Sequence, residues 1–238
     1  MKKLSVAVFA GLVLFSLNSC RKIVGSGPIV TEKRTPAPFT ELEFEVPGEL
    51  VFIQSEVESI TLEGQRNILD IVETNVNNGE LKVKLRHNRV ISAGEHLRIT
   101  VEGPNARSFK VSGSGNLFIP DSLSAEDLKL RISGSGKILV TALKANNLEV
   151  KISGSGKVEA LNGIVGNEQL DIEGSGDIDL SNVPAETADT ETSGSGDIRL
   201  FVNERLNAKI AGSGDIWYRG RPLIDTRISG SGNVRRID

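Results

Sequence analysis

The chain has 238 residues, of which 38% are hydrophobic and 25% charged, with a formal net charge of −3. That balance supports a packed core and argues against wholesale disorder. One Cys excludes an internal disulfide framework and a Cys-based zinc site, two His disfavour a catalytic transition-metal centre, and the scarce aromatics and acidic balance give nothing for nucleic acid to bind.

No cofactor and no nucleic-acid partner are therefore expected. Residues 1–19 read as a secretory signal. Lys2 and Lys3 form a basic start, and Leu4 to Leu17 is a charge-free apolar run too short for a comfortable membrane span. The run closes on Leu17-Asn18-Ser19-Cys20, which resembles a bacterial lipobox, where the Cys is acylated and becomes the mature N-terminus. Cys20 is thus the lipidation candidate, and the membrane is the expected partner through that lipid. Arg21 and Lys22 follow it, with no Asp at the second mature position, so an outer-membrane anchor is expected.

Residues 20–38 contain Gly25-Ser26-Gly27-Pro28 and Thr35-Pro36-Ala37-Pro38. The residue before each Pro is biased to extended backbone. This stretch is expected to be a tether that joins the fold near Phe39. Residues 39–108 are β-rich but irregular, with apolar or alternating runs at Leu42–Val46, Leu50–Ile53, Leu81–Leu85 and Leu97–Val101. Asn77-Asn78-Gly79 between two such runs is a hairpin signal. The region is expected to form either degenerate first rungs or a β cap over an open end.

Residues 109–238 repeat. Gly-Ser-Gly begins at Gly113, Gly134, Gly154, Gly174, Gly194, Gly212 and Gly230, at intervals of 18 to 21 residues. Aligned on the triplet, apolar residues stand two and four before it and two and four after it; around Gly134 these are Ile132, Leu130, Ile138 and Val140. Period-2 alternation means one buried face and one wet face. Between copies lies a short third side with one inward candidate each: Leu123, Leu143, Ile164 or Val165, Val183, Val202. Columns of one residue type at one fixed period indicate stacking. The expected fold is all-β, a single-stranded right-handed parallel β-helix with seven Gly-Ser-Gly rungs; the handedness follows from the general preference of parallel crossovers. A tandem array of hairpins is the competing architecture, with antiparallel register and turns every 8–12 residues.

The stretch Gly25 to Arg34, the Phe39-Thr40-Glu41-Leu42 start and the Ile-Ser-Gly-Ser-Gly-Asp-Ile type of rung are similar to the head GIN domain family. Its members are exported β-helical proteins of Bacteroidetes-type bacteria, named as heads of autotransporter adhesins. The resemblance spans about Gly25 to Asp238. It implies a parallel β-helix at the cell envelope and brings no catalytic residues. No translocator barrel or coiled-coil stalk is recognisable here, and the lipid on Cys20 is expected to serve as the anchor instead.

Three features invite a chemical role. The residue after each triplet forms an outward column, in which Asp177, Asp197 and Asp215 stand on consecutive rungs. Acids about 5 Å apart could hold a hard cation through oxygen ligands; short polar residues that cap a glycine turn are the simpler expectation. The triplet serines are expected to bond along the coil through their hydroxyls, because the two histidines, His87 and His96, precede the first regular rung and leave them without a base. Trp217, Tyr218, Arg219 and Arg221 form the one aromatic-basic cluster, suited either to a sugar or protein partner or to covering the last rungs. The composite expectation is a non-enzymatic, lipid-anchored interaction scaffold with a protein or glycan ligand at the envelope. Its rivals are a carbohydrate-active β-helix enzyme built on Asp177, Asp197 and Asp215, and a structural or sensory envelope protein.

Overall fold

A computed structural model describes residues 21–92 and 95–237 of the chain. The signal run and Cys20 lie outside the described residues.

The alternating residues around each triplet turn inward, as their period requires. Leu130, Val150, Leu170, Thr190 and Ala208 form one buried column; Ile132, Ile152, Ile172, Thr192 and Ile210 form the next; Ile138, Val158, Ile178, Ile198 and Ile216 form a third beyond the corner. The strands stack parallel and in register, with Leu130 beside Val150, Val150 beside Leu170, Leu170 beside Thr190 and Thr190 beside Ala208. The outcome is a β-solenoid of about six turns. Parallel pairing throughout the repeats removes the hairpin alternative. Each fully buried aliphatic side chain contributes about 1.5–3 kcal/mol. The two core threonines satisfy their hydroxyls locally, Thr190 donating to the Asn207 carbonyl and Thr192 to that of Gly196, both at 3.2 Å.

The two corner glycines are required for different reasons. Gly174 has φ of +127°, where a side chain is strained, and a Cβ there would strike the Gly154 carbonyl of the rung before. Gly176 has no such dihedral; its Cβ would lie 2.6 Å from both the Gly156 carbonyl oxygen and Ile152 Cγ2. Between them the Ser175 N–H donates to the Gly154 carbonyl at 2.8 Å, and Ser135, Ser155, Ser195, Ser213 and Ser231 repeat the bond at 2.8–2.9 Å. The hydrogen-bond ladder therefore runs through the corner on backbone. The triplet serines themselves are exposed, so the hydroxyl ladder expected of them is replaced by a main-chain one.

On the third side, Val165 is buried and Ile164 is 58% exposed, which decides between the two candidates. The side carries two columns rather than one. Leu123 stacks on Leu143 and Leu143 on Gly163, whereas Val165 stacks on Ala145 and Ala185, and Ala185 on Val202. Leu143 thus sits over a glycine, and Val165 between two alanines.

Residues 39–108 contain both parallel strands stacked on the repeats and antiparallel strands at the end. Glu41–Phe44 pairs parallel with Ser108–Gly113, and Glu49–Gln54 with the start of Asn116–Gly134, so residues 41–54 make one irregular rung. Glu80–Leu85 and Leu97–Gly103 pair parallel beneath it and make a second. Antiparallel strands then close the end: Val72–Asn77 on one flank, Ser59–Gln65 and Ile29–Arg34 on the other. Asn78 and Gly79 have φ of 51° and 80°, the pair of positive values that a two-residue hairpin turn needs. A single helical turn, Arg66–Leu69, buries Ile68 and Leu69. Aromatic packing is concentrated here, with Phe52 and Phe109 edge to face at 4.8 Å between centroids.

Residues 21–38 are not a free tether. Arg21–Ile23 pairs with Arg89–Ile91, and Ile29–Arg34 pairs with Ser59–Gln65 over six residues. Arg34 anchors that strand, donating to the Val72 carbonyl at 2.8 Å and to Thr74 Oγ1 at 3.0 Å. Pro28 precedes the strand, and Pro36 and Pro38 follow it, so no proline interrupts its ladder.

Glu43 rivets the irregular rungs to the regular ones. It lies in register with Lys110 on one side and Lys82 on the other, and pairs with both, at 2.7 and 2.5 Å, while Ser112 Oγ donates at 2.9 Å. Burial opposes its ionisation, but the two ammonium groups and the hydroxyl outweigh that and bring its pKa down from 4.5 to about 2. The Glu43 hydrogen bond pushes Lys82 up to about 12. Between pH 4.5 and 2 the unfolded chain holds a proton that the folded one does not, so stability rises with pH across that window. Glu43→Gln is expected to lose about 2–3 kcal/mol at pH 7. It should also flatten the acid limb of a melting-temperature scan from pH 7 to pH 2, and an unchanged limb would contradict the assignment.

Candidate functional site

The side of the solenoid that leads into each corner has the longest strands: residues 127–134 pair with the next rung over eight positions, against four for residues 116–119 after the corner, which makes it the broad side. Its outward residues form straight columns because the strands are in register. In the first column Asn147 Nδ2 donates to Asp127 Oδ1 at 2.8 Å, Asn167 Nδ2 to Asn147 Oδ1 at 3.0 Å, and Thr187 Oγ1 to Asn167 Oδ1 at 2.8 Å. In the second, Asn207 Nδ2 donates to Asp189 Oδ1 at 2.6 Å. The third is ionic: Arg131 reaches across to Glu149 at 2.7 Å, Lys151 to Glu173 at 3.1 Å, and Lys209 pairs with Glu191 at 2.6 Å. Burial pushes the Asp171 carboxyl up on this face.

Open grooves run along this face. One, of about 620 Å³, lies against Asp127, Asn147, Asn167 and Glu149; another, of about 560 Å³, lies against Asp189, Asn207, Lys209 and Arg227. Chemically the face offers amides, carboxylates and ammonium groups at strand spacing, about 4.8 Å. That repeat suits many weak polar contacts with an extended partner better than enclosure of a small molecule.

The aspartate column behaves as a turn cap. Asp177 Oδ1 accepts the Asp197 N–H at 3.4 Å, Asp197 Oδ1 accepts the Asp215 N–H at 2.9 Å, and Asp215 Oδ1 accepts the Asn233 N–H at 2.7 Å. Each carboxylate is thereby bound to the backbone of the next rung. Earlier in the same column, Lys137 and Lys157 both reach Glu159, at 3.0 and 3.1 Å, and they hold its carboxyl below the usual range. Among the described residues no group of three or more His, Cys, Asp or Glu side chains converges on a possible metal position.

The aromatic-basic cluster divides. Trp217 lies in register between Arg199 and Arg235, with the Arg235 guanidinium 5.6 Å from its ring centroid. Tyr218 points the other way and packs against the core. Arg219 folds back to the Ser181 carbonyl and to Asn182, both at 3.3 Å, and Arg221 is exposed. Alternation along the strand separates what adjacency in the sequence had grouped.

One core residue escaped the alignment on two and four before the triplet. From Gly134 onward the column six before it reads Leu128, Leu148, Glu168, Ala188, Leu206, Ile224, so the odd member of these was visible in the spacing. Glu168 is 2% exposed, and neither carboxylate oxygen has a hydrogen-bond partner. Burial holds its pKa well above the ordinary value of 4.5.

Residues 38–222 match the family model described as "Putative auto-transporter adhesin, head GIN domain". The chain belongs to the head GIN domain family. Solved structures share its fold. A "putative adhesin" from Bacteroides fragilis superposes with a TM-score of 0.85 at 24% identity, covering 90% of this chain and 100% of that one. A "putative lipid binding protein" from Parabacteroides distasonis gives 0.78 at 22%, covering 92% and 100%. A "putative adhesin" from Parabacteroides merdae gives 0.73 at 21%, covering 91% and 99%. A comparison with curated proteins returned no match. The head GIN match ends at residue 222, one residue before the final strand of the broad side, Leu223–Gly230.

Proposed function

We propose that this head GIN chain is a non-enzymatic interaction scaffold, held at the bacterial envelope by a lipid on Cys20, which binds an extended protein or glycan along its broad side. The observation that carries the reading is the in-register polar face. Three outward columns span successive rungs, and their side chains are already tied to one another rather than converged on a point. A preordered surface of this kind loses little rotamer freedom on binding. The adhesin naming of the family supports a contact role, and the lipobox-like Leu17-Asn18-Ser19-Cys20 supports the anchor. Arg21 rather than Asp directly after Cys20 supports an outer-membrane location for that anchor.

The test uses cells displaying the full chain on immobilised glycan and matrix-protein panels. Asn147→Lys with Asn167→Lys puts two charges into the amide column without touching the core. It is expected to lower adhesion at least tenfold while leaving the melting temperature within about 2 °C. Cys20→Ser is expected to abolish incorporation of labelled palmitate. Unchanged adhesion in the double lysine variant would defeat the face assignment, and retained label would defeat the anchor.

A further inference from the structure

The two ends of the solenoid are finished differently. At the N-terminal end, antiparallel strands and the Arg66–Leu69 turn close the core. At the other end, Leu223–Gly230 pairs along one edge with the preceding rung, from Arg205 beside Leu223 to Gly212 beside Gly230, and among the described residues no strand pairs its other edge. Ile224 and Ile228 continue buried columns yet are 42% and 46% exposed, and Leu223 is 76% exposed. An open edge with apolar side chains is a template for another strand.

The residues of the edge say which strand. Ile224-Asp225-Thr226-Arg227-Ile228 is self-complementary when paired antiparallel about its middle. We propose that this edge pairs with the same edge of a second copy of the chain, across a two-fold axis at Thr226. Ile224 then faces Ile228 of the second copy, and Asp225 faces its Arg227. Directly opposed residues in an antiparallel pair lie on the same sheet face. The inward isoleucines therefore meet each other and extend the core, while the outward charges meet in solvent.

The register is specified. Sliding the pair by one residue sets inward side chains against outward ones. Sliding by two residues places Asp225 opposite Asp225, or Arg227 opposite Arg227. A two-fold contact also closes on itself, whereas head-to-tail stacking would need the N-terminal end free and would run on into filaments. Arg235 and Arg236 keep the neighbouring edge Val234–Arg236 charged and exposed, so pairing is confined to the broad side.

Cross-linking tests this in the full chain. Opposed Cα atoms on the axis are about 4.5–5.5 Å apart, within disulfide reach. Thr226→Cys, oxidised with copper phenanthroline, is expected to give a species of twice the chain mass on a non-reducing gel. The unchanged chain supplies the Cys20 background, and Ser193→Cys, on the same side of the solenoid but outside the edge, supplies a control. Asp225→Arg or Arg227→Asp in the Thr226→Cys chain is expected to cut the dimer at least tenfold, and the two reversals together to restore it. Circular dichroism confirms that each variant is folded. A folded Thr226→Cys chain that gives no dimer overturns the proposal. So does a dimer insensitive to the charge reversals, a ladder of higher species, or capture of a different protein by the introduced thiol.

Discussion

Valine in place of Gly174 is expected to remove about 2–6 kcal/mol of stability, a large share of the 5–15 kcal/mol typical of a folded domain. Two penalties add at this corner. At φ of +127° a β-branched residue is strained, by about 1–3 kcal/mol. Its Cβ would also press on the carbonyl of Gly154, the acceptor of the Ser175 N–H, so relief by backbone movement breaks the ladder that runs through the corner. Overpacking of that kind costs about 1–3 kcal/mol more. Ser175→Ala at the exposed middle of the same triplet should stay within about 0.5 kcal/mol. Denaturant midpoints for the two variants make the comparison; equal midpoints would mean that the glycines are not sterically required.

Leucine in place of Glu168 is expected to do the opposite and stabilise the fold at pH 7 by about 1–3 kcal/mol, or roughly 2–12 °C in melting temperature. The site is already apolar: Leu148 lies beside it in the preceding rung and Ala188 in the next. The sign of the pH dependence follows from burial. Above pH 4.5 the unfolded chain releases the proton that the buried carboxyl keeps, so the unfolded state binds fewer protons and stability falls as pH rises. The slope is about 1.4 kcal/mol per pH unit while the folded carboxyl remains protonated. Glu168→Leu should erase that slope. Glu168→Gln should erase it too while gaining less, because an unpaired amide stays in the core. A native melting temperature that is level from pH 5 to pH 8 would refute the assignment. Glu43 and Glu168 thus act on opposite flanks of pH 4.5, one losing stability below it and the other above.

The regular rungs were legible because two periods coincide. Alternation at two residues, locked to a Gly-Ser-Gly mark at 18–21, places Ile132, Ile152 and Ile172 in one column without any structural input. Where a rung departs from its neighbours the period loses force. Ile164 and Val165 could not be told apart, since Gly163 stacks on Leu143 and moves the inward position along the side. Residues 41–54 and 80–103 stack as rungs although a hairpin and a helical turn interrupt them, and no constant interval marks that. Ile29–Arg34 alternates only between exposed and half-buried, so its burial pattern resembles that of a tether; its partner strand begins 30 residues later in sequence, at Ser59 beyond Ile29. The chemistry was less legible than the fold. The acid column could be placed but its function as a cap depends on backbone N–H positions, which only the stacked corners supply. Trp217 and Tyr218 are adjacent in sequence and opposite in space.

The corners also make length a free variable. From Gly134 to Gly194 each turn consumes the same 20 residues and hands the chain on at the same Gly-Ser-Gly with the same register. A whole turn can be duplicated or deleted between two such marks without changing what either end of the molecule presents. Each one adds or subtracts about 4.8 Å. The height of the solenoid can therefore be changed in fixed steps by copying a 60-nucleotide stretch of the gene, with the broad side growing by one row of outward side chains each time.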